Sequence, residues 1–199
     1  MGRVADNAAD AELLDKAGRG DEAAFLLIYE RHRTPVFRFA YRLLGSVPLA
    51  EDVTHDCFLS LIRRPHGYQP DRASLRTYLC AAARNLALKQ MGRHRLETAV
   101  DEPPERRDDD RGADPLGRCL EGELAEGVRR AVSELPPLQR EAVILFEYLE
   151  MSLAEVAETL GVDVGTIKSR LHRGRERLRR TLAPRLAEMS VSRAAERRA

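Results

Sequence analysis

A short stretch, residues 165–180, holds seven lysine and arginine residues with Glu176 as its one acid. Ser169 and His172 lie among them, so the stretch offers cationic, hydroxyl and imidazole groups. Cations hold the phosphate backbone of DNA, while cationic and hydroxyl side chains that reach the major groove distinguish base edges. The chemistry indicated is the recognition of duplex DNA.

A second basic stretch, residues 61–96, has eight lysine and arginine residues and Asp71 as its one acid. Tyr68 and Tyr78 lie among these cations. An opened DNA strand needs cations for its phosphates and an aromatic surface or pocket for an unstacked base. This stretch therefore has the composition of a single-strand site. Basic stretches are also typical of solvated helix faces, and Tyr78, like Phe58, is more often a core residue than a ligand contact.

The formal net charge of +1 conceals strong segregation along the chain. Residues 1–60 have ten acids against seven bases, and residues 96–116 have eight acids against three arginines. Two basic stretches separated by an acidic one indicate two nucleic-acid footprints on one chain.

The sequence has no pattern that supports catalysis. It contains no G-x-S-x-G, no glycine-rich phosphate loop, and no His/Asp/Glu set at ligand spacing. Three widely spaced cysteines without a CxxC pattern favour reduced thiols, and His55 beside Cys57 is too little for a zinc site. We therefore expect neither an enzyme nor a bound cofactor. The cysteines are Cys57, Cys80 and Cys119.

Two helices joined by a tight turn must position the first basic stretch. Ser152 and Glu155 have the spacing of a capping box, and Gly161 ends the helix that they open. The second helix follows at once, with apolar residues along one side. This order is typical of a helix-turn-helix. The inward residues are Ile167, Leu171 and Leu178, and the outward ones are Lys168, Ser169, His172, Arg173 and Glu176.

Cap and breaker residues divide the first half of the chain into four predicted helices. The boundaries are an N-cap at Asp21, a new start at Thr34-Pro35, a stop at Gly45, a start near Leu49, a stop at Pro65 and an N-cap at Ser74. The fourth helix is predicted to face inward through Leu75, Leu79, Ala82 and Leu86.

Residues 96–116 have almost no large apolar side chains and include three prolines, so they cannot offset their chain entropy by burial. Helices are expected to resume near Leu116 and again after Pro136-Pro137. With 199 residues, 43% hydrophobic and 5% aromatic, the chain suits small helical cores. We expect an all-α fold: two helical domains joined by a flexible acidic linker, the C-terminal one a helix-turn-helix. Without a run of ~18 apolar residues or a secretory start, a cytoplasmic protein is expected.

Taken in order, these segments resemble the sigma-70 family, and the compact two-domain form resembles its extracytoplasmic-function subgroup. The resemblance spans about residues 10–182. The helix-turn-helix alone would be shared with many regulators, whereas the whole order is specific. The segments are FLLIYERHRTPVFRFAYRLLG, AEDVTHDCFLSL, RNLAL, LPPLQREAVIL and SLAEVAETLGVDVGTIKSRLHRGRERLR.

The resemblance implies a sigma factor that directs promoter-specific transcription initiation by RNA polymerase. Residues 10–95 would be a region 2-like domain that docks on the core enzyme and recognises and melts the −10 element. Residues 96–116 would be the linker, and residues 117–182 a region 4-like domain that recognises the −35 element. No function is assigned to the tail, residues 183–199. The implied partners are promoter DNA and two parts of core polymerase, the clamp of the largest subunit and the flap of the second-largest; an anti-sigma factor stays open, and no membrane insertion is expected.

The resemblance also implies roles for individual residues, in three groups. Asp52, His55 and Asp56 would dock on core polymerase. Binding and melting of the −10 element falls to Arg63, Arg64, Tyr68, Arg72, Arg76 and Arg84. Recognition of the −35 element falls to Thr166, Lys168, Ser169, His172 and Arg173.

Two rival functions from other classes remain at this stage. A self-sufficient repressor or activator could use the same helix-turn-helix, but it would need a dimerisation surface and a palindromic site. A nucleic-acid enzyme has only five scattered histidines in its favour. The observation that separates these functions from a sigma factor is whether specific DNA binding requires core polymerase.

Overall fold

The computed structural model describes residues 2–97 and 122–196, and within these ranges the chain is helical and forms two domains. The expected all-α fold is therefore confirmed. The expected linker from residue 98 onward, Cys119 and the helix start near Leu116 lie outside the described residues. The N-terminal domain contains α1 (Gly2–Gly18), α2 (Glu22–Leu44), α3 (Val47–Arg63) and α4 (Leu75–Glu97). The C-terminal domain contains α5 (Gly122–Ser133), α6 (Pro137–Val143), α7 (Leu153–Leu160) and α8 (Val164–Glu196).

Helix α2 is the centre of the N-terminal domain, where it contacts α1, α3 and α4. Its inward residues Ile28, Val36 and Phe39 are fully buried at helical spacing. Asp21 caps its start, since the Asp21 carboxylate accepts a hydrogen bond from the Ala24 N–H at 3.0 Å. Gly45 ends it at a φ of 67°, a left-handed conformation that favours glycine. Both predicted boundaries are confirmed.

The expectation that Thr34-Pro35 opens a new helix is wrong. Pro35 lies inside α2, which continues from Glu22 to Leu44. A proline in a helix removes one hydrogen bond, here the one to the Arg31 carbonyl. Burial of Ile28 before it and of Val36 after it holds both halves on the same core, so packing outweighs the lost bond.

Helix α1 has no counterpart in the predicted helices. Leu14 is buried against the domain core, and Asp10 is buried with two partners on α2. The Asp10 carboxylate accepts a hydrogen bond from His32 Nε2 at 2.9 Å and another from Arg31 Nη1 at 2.5 Å. Burial alone would raise the pKa of Asp10, but the hydrogen bond and charge of His32, together with those of Arg31, lower this pKa below its usual value.

The lowered pKa of Asp10 predicts a pH-dependent contribution to stability. The contribution is present above the ordinary carboxyl pKa and is lost as the pH falls through the lowered one. Asp10→Asn should therefore reduce the free energy of unfolding by about 1–3 kcal/mol at pH 7. The difference from the wild type should shrink at pH 3, in urea unfolding followed by circular dichroism. An equal difference at both pH values would contradict this role.

Helix α4 connects the two domains. Ser74 caps it as predicted, since its hydroxyl accepts a hydrogen bond from the Thr77 N–H at 3.1 Å. The predicted inward face is correct for Leu75 and Leu79, but Ala82 and Leu86 are only half-buried. The helix packs against α2 and α3 on one side and against α7 on another, so its buried surface is wider than one stripe. The other buried residues are Thr77, Cys80, Ala83 and Ala87.

The two cysteines in the described ranges are buried and free. Burial raises the pKa of the Cys57 and Cys80 thiols to about 12 in each case. Both are therefore neutral thiols at neutral pH, with little nucleophilic character.

The C-terminal domain departs from the predicted pattern in two places. The segment expected as one helix, LQREAVILFEYLE, is α6 followed by a π-helical turn, Ile144–Tyr148, and then Glu150 at a φ of 53°. Helix α8 continues to Glu196, with Pro184 inside it, so most of the expected tail is helical in its backbone. Within the described ranges no helix is long and apolar enough to cross a membrane.

Candidate nucleic-acid interface

The helix-turn-helix consists of α7, a short turn and the first part of α8. Ser152 and Glu155 form the predicted capping box: the Ser152 N–H donates to the Glu155 carboxylate at 2.8 Å, and the Glu155 N–H donates to the Ser152 hydroxyl at 3.3 Å. Gly161 ends α7 at a φ of 65°. Ile167 is fully buried, which places the opposite side of α8 toward solvent.

The start of α8 is held by a cap that sequence reasoning missed. Asp163 accepts hydrogen bonds from the Thr166 N–H at 2.8 Å and from the Thr166 hydroxyl at 2.6 Å. These two bonds lower the pKa of the Asp163 carboxyl. The Thr166 hydroxyl donates within the cap, so toward DNA it is available as an acceptor. The order Asp-x-x-Thr was the signal that could have indicated this cap.

The predicted −35 residues share one accessible side of α8. Lys168, His172 and Arg173 are exposed, and Ser169 is half-buried. Arg173 bends back along the helix, where its guanidinium donates to the Ser169 hydroxyl at 2.5 Å. Within the described ranges, Lys168 and His172 have no hydrogen-bond or ion-pair partner. These two side chains are therefore available to contact DNA.

Farther along α8, three arginines have acidic partners. Arg175 donates to the Glu147 carboxylate at 2.7 Å and lies 5.3 Å from the centroid of the Phe146 ring. Glu176 accepts hydrogen bonds from Arg179 and Arg180. Arg177, in contrast, is exposed without a hydrogen-bond or ion-pair partner in the described ranges.

The second set of predicted residues is not brought to one open surface. Arg63, Arg64 and Arg72 are exposed around the loop between α3 and α4. Arg76 and Arg84 instead contact the C-terminal domain: Arg76 donates to the Leu149 carbonyl, and Arg84 Nε donates to the Glu141 carboxylate at 3.0 Å. Arg76 and Arg84 were expected on the same surface as Arg63, Arg64 and Arg72. This contact between domains left no signal in the sequence.

Tyr68, assigned above to the −10 site, is buried under the loop between α3 and α4. Tyr68 is only 6% exposed, and its ring centroid lies 5.7 Å from that of Tyr78. Burial raises the pKa of the Tyr68 hydroxyl to about 12. The loop folds over α4 closely, since a Cβ at Gly67 would lie 3.0 Å from the Tyr78 hydroxyl oxygen. Apolar burial of the ring outweighs the polar composition of the loop.

The predicted docking residues lie together on α3. Asp52, His55 and Asp56 are exposed, whereas Val53 and Cys57 face the core. Asp52 and Asp56 are four residues apart and so occupy neighbouring positions on one helix face. The arrangement offers an acidic surface without a counter-charge on the same turn.

Two family models match the chain in consecutive order. The model described as Sigma-70 region 2 matches residues 28–97, and that described as Sigma-70, region 4 matches residues 125–178. The first match begins inside α2 and continues through α4, and the second covers the helix-turn-helix.

Curated relatives and solved structures agree with these matches. The ECF RNA polymerase sigma factor SigE of Mycolicibacterium smegmatis is 35% identical over 87% of this chain and 68% of that protein. The ECF RNA polymerase sigma factor SigW of Bacillus subtilis is 28% identical over 82% of this chain and 91% of that protein. The solved structure of the sigma factor RpoE of Bartonella quintana, in complex with the anti-sigma factor NepR, has the same fold. It is 24% identical, with a TM-score of 0.63, over 80% of this chain and 96% of that chain. The chain therefore belongs to the sigma-70 family, in its extracytoplasmic-function subgroup, and is a non-enzymatic factor for promoter-specific transcription initiation by RNA polymerase.

Proposed function

We propose that the two domains of this sigma factor divide promoter recognition between them. The C-terminal domain, residues 117–182, recognises the −35 element, and the N-terminal domain, residues 10–95, docks on core polymerase and binds the −10 element. The observation that carries the proposal is the accessible side of α8, where Lys168 and His172 have no partner within the described ranges. A helix with a cationic exposed face can enter a major groove.

Within the −35 site, Lys168 and His172 are the direct contacts to bases or phosphates. Arg173 and Ser169 are bonded to each other, so they act as a preformed pair that reaches DNA together. Thr166 contributes an acceptor at the start of the helix.

Within the −10 site, Arg63, Arg64 and Arg72 are the first contacts to the DNA backbone, since all three are exposed. Arg76 and Arg84 join them once the C-terminal domain has moved away. Tyr68 acts as the anchor of the loop, because its ring is buried between the loop and α4. We therefore assign the binding of unstacked −10 bases to the whole loop between α3 and α4.

Docking on core polymerase falls to two surfaces. Asp52, His55 and Asp56 on α3 bind the clamp of the largest subunit, and the C-terminal domain binds the flap of the second-largest subunit. An anti-sigma factor is a further partner, because the related RpoE is solved with one. The place of action is the cytoplasm, where RNA polymerase and promoter DNA are found.

Reversing both acids, Asp52→Arg with Asp56→Arg, should weaken binding to the clamp fragment by about tenfold or more. Two like charges then face a surface that was complementary to acids, and such juxtaposition costs several kcal/mol. Fluorescence anisotropy with a labelled clamp fragment measures the affinity. The matched control reverses Glu150 and Glu158, two exposed acids of the C-terminal domain, and should leave the affinity unchanged. Equal affinities for both variants would contradict the docking assignment.

The requirement for core polymerase separates the proposed function from a self-sufficient regulator. A sigma factor should give a sequence-specific shift of promoter DNA in a native gel only when core polymerase is present. A specific, dimeric complex of this protein alone with a palindromic site would favour the rival function.

A further inference from the structure

Helix α1 packs against the loop between α3 and α4, although α1 precedes residues 28–97, the part of the chain that the region 2 model matches. Besides α2, α3 and α4, it contacts the 3₁₀ turn Pro65–Gly67, with which this loop begins. Gly18, the last residue of α1, lies so near the turn that an added Cβ would be 3.2 Å from Pro65 Cγ. The end of α1 therefore limits where the start of the loop can lie.

A buried carboxylate fixes α1 in this position. Asp10 shares one face of α1 with Leu14 and Ala17, and all three residues are buried. The Asp10 side chain is only 5% exposed, and it accepts hydrogen bonds from Arg31 and His32 of α2. A carboxylate removed from water is costly unless it is paired, so a shift of α1 away from these partners would leave a buried charge uncompensated. Asp10 thus restricts α1 to one position on α2.

The same carboxylate is a neighbour of the buried ring of the loop. Burial raises the pKa of the Tyr68 hydroxyl, and the negative charge of Asp10 raises this pKa further. The Tyr68 ring also lies near Tyr78 of α4, with 5.7 Å between the ring centroids. Because Tyr68 has both α4 and the charged residues between α1 and α2 as neighbours, the position of α1 affects the position of this ring.

The backbone hydrogen bonds within the loop are local. The Gly67 N–H donates to the Arg64 carbonyl at 3.0 Å, and the Arg72 N–H donates to the Gln69 carbonyl at 3.1 Å. Such bonds form two turns, but they do not determine how the turns lie relative to the helices. The positions of the exposed arginines around the loop therefore depend on packing from α1 and α4. A binding site that is already ordered loses less conformational entropy when it binds its ligand.

We propose that α1 is a positioning element for the −10 site and that Asp10 is its positioning residue. By fixing α1 on α2, Asp10 keeps the loop in the form that receives unstacked −10 bases. Gly18 contributes to the same arrangement, because the absence of a side chain leaves room for Pro65. The proposal rests on the −10 role proposed above for the loop, and it assigns no DNA contact to α1 itself.

Two substitutions disturb this support, and each has a matched control. Asp10→Asn removes the buried charge at nearly constant shape, and Glu12→Gln makes the same kind of change at an exposed acid of α1. Gly18→Val adds atoms against Pro65, whereas Gly92→Val adds them where nothing lies within 4 Å of a Cβ. Valine has a higher helix propensity than glycine, so Gly18→Val is not expected to unfold α1. Circular dichroism identifies a temperature at which every variant is folded.

The measurements use the holoenzyme, formed from core polymerase and the full-length protein. The probes are two fluorescent single-stranded DNA oligonucleotides of equal length. One is the non-template −10 strand of a promoter that the wild-type holoenzyme transcribes, and the other contains the same bases in scrambled order. Fluorescence anisotropy gives the affinity for each probe, and the ratio of the two affinities is the preference for −10 bases. The slope of log affinity against log salt concentration reports the number of phosphate contacts.

We expect Asp10→Asn and Gly18→Val to reduce the preference for −10 bases about tenfold, because a displaced loop loses contacts to bases. The salt slope should stay unchanged, since the exposed arginines still bind phosphates. Glu12→Gln and Gly92→Val should match the wild type in both respects. Unchanged preference in Asp10→Asn would overturn the role of Asp10, and unchanged preference in Gly18→Val would overturn the role of the end of α1. An equal loss in the controls would overturn both.

A triple variant separates failure of this proposal from failure of the −10 assignment on which it rests. Replacing Arg63, Arg64 and Arg72 by alanine should lower the affinity for both probes and reduce the salt slope by roughly two units. If it does so while the α1 variants keep the wild-type preference, the −10 site stands and the role of α1 is wrong. If the triple variant binds both probes as tightly as the wild type, the −10 assignment is wrong and the role of α1 falls with it.

Discussion

Replacing Lys168 and His172 together by alanine should weaken −35 recognition by the polymerase holoenzyme roughly 100-fold. Both side chains are exposed on α8 without a partner in the described part of the chain, so their loss removes contacts to DNA without disturbing a bond within the protein. A base-reading contact contributes ~1–3 kcal/mol of discrimination, and two such contacts account for the expected factor. Competition binding on duplex fragments with an intact or a scrambled −35 element measures it.

Arg38→Ala is the matched control, because it removes one exposed cation from α2 and leaves the helix-turn-helix intact. It should retain full preference for the intact −35 element. The salt dependence of binding then separates base contacts from phosphate contacts. Loss of a phosphate contact lowers the affinity for both fragments, and it reduces the slope of log affinity against log salt concentration by about one unit. An equal loss for the control and the double variant would contradict the assignment of α8 as the recognition helix.

The second large effect concerns strand opening. Replacing Arg63, Arg64 and Arg72 together by alanine should reduce open-complex formation by about 10–100-fold, since each cation is expected to hold a backbone phosphate of the opened strand. The dependence of the rate on salt should decrease by roughly two units, at ~0.7 per phosphate of a single strand. Permanganate reactivity of thymines in the −10 region measures the opening directly.

The control for this triple variant is the affinity of the holoenzyme for an isolated −35 duplex. That affinity should stay unchanged, because the three arginines lie around the loop between α3 and α4. Loss of −35 duplex binding in the triple variant would show that these cations contribute general attraction to DNA instead of a separate −10 site.

Local chemistry made the helix-turn-helix predictable. The Ser152–Glu155 capping box, the glycine at position 161 and the buried Ile167 are each determined within a few residues, and the structure confirms all three. The same holds for the caps at Asp21 and Ser74. Such features need no knowledge of distant parts of the chain.

Features decided by tertiary packing were not predictable in the same way. Pro35 looked like a helix start, but burial on both sides keeps α2 continuous. Tyr68 lies in a loop of polar composition, but its ring is buried and packs near Tyr78. The π-helical turn and the pairing of Arg84 with Glu141 both involve contact between the domains, for which a single sequence holds no periodic signal.

The central claim is that one chain contains two separable DNA footprints, and run-off transcription on two templates tests it most directly. Core polymerase is combined with the wild type, the Lys168/His172 variant or the Arg63/Arg64/Arg72 variant, on a duplex promoter and on the same promoter with a pre-opened −10 bubble. We predict that the bubble restores transcription substantially for the arginine variant and much less for the Lys168/His172 variant. Equal failure of both variants on both templates, or equal rescue of both by the bubble, would contradict the division of promoter recognition between the two domains.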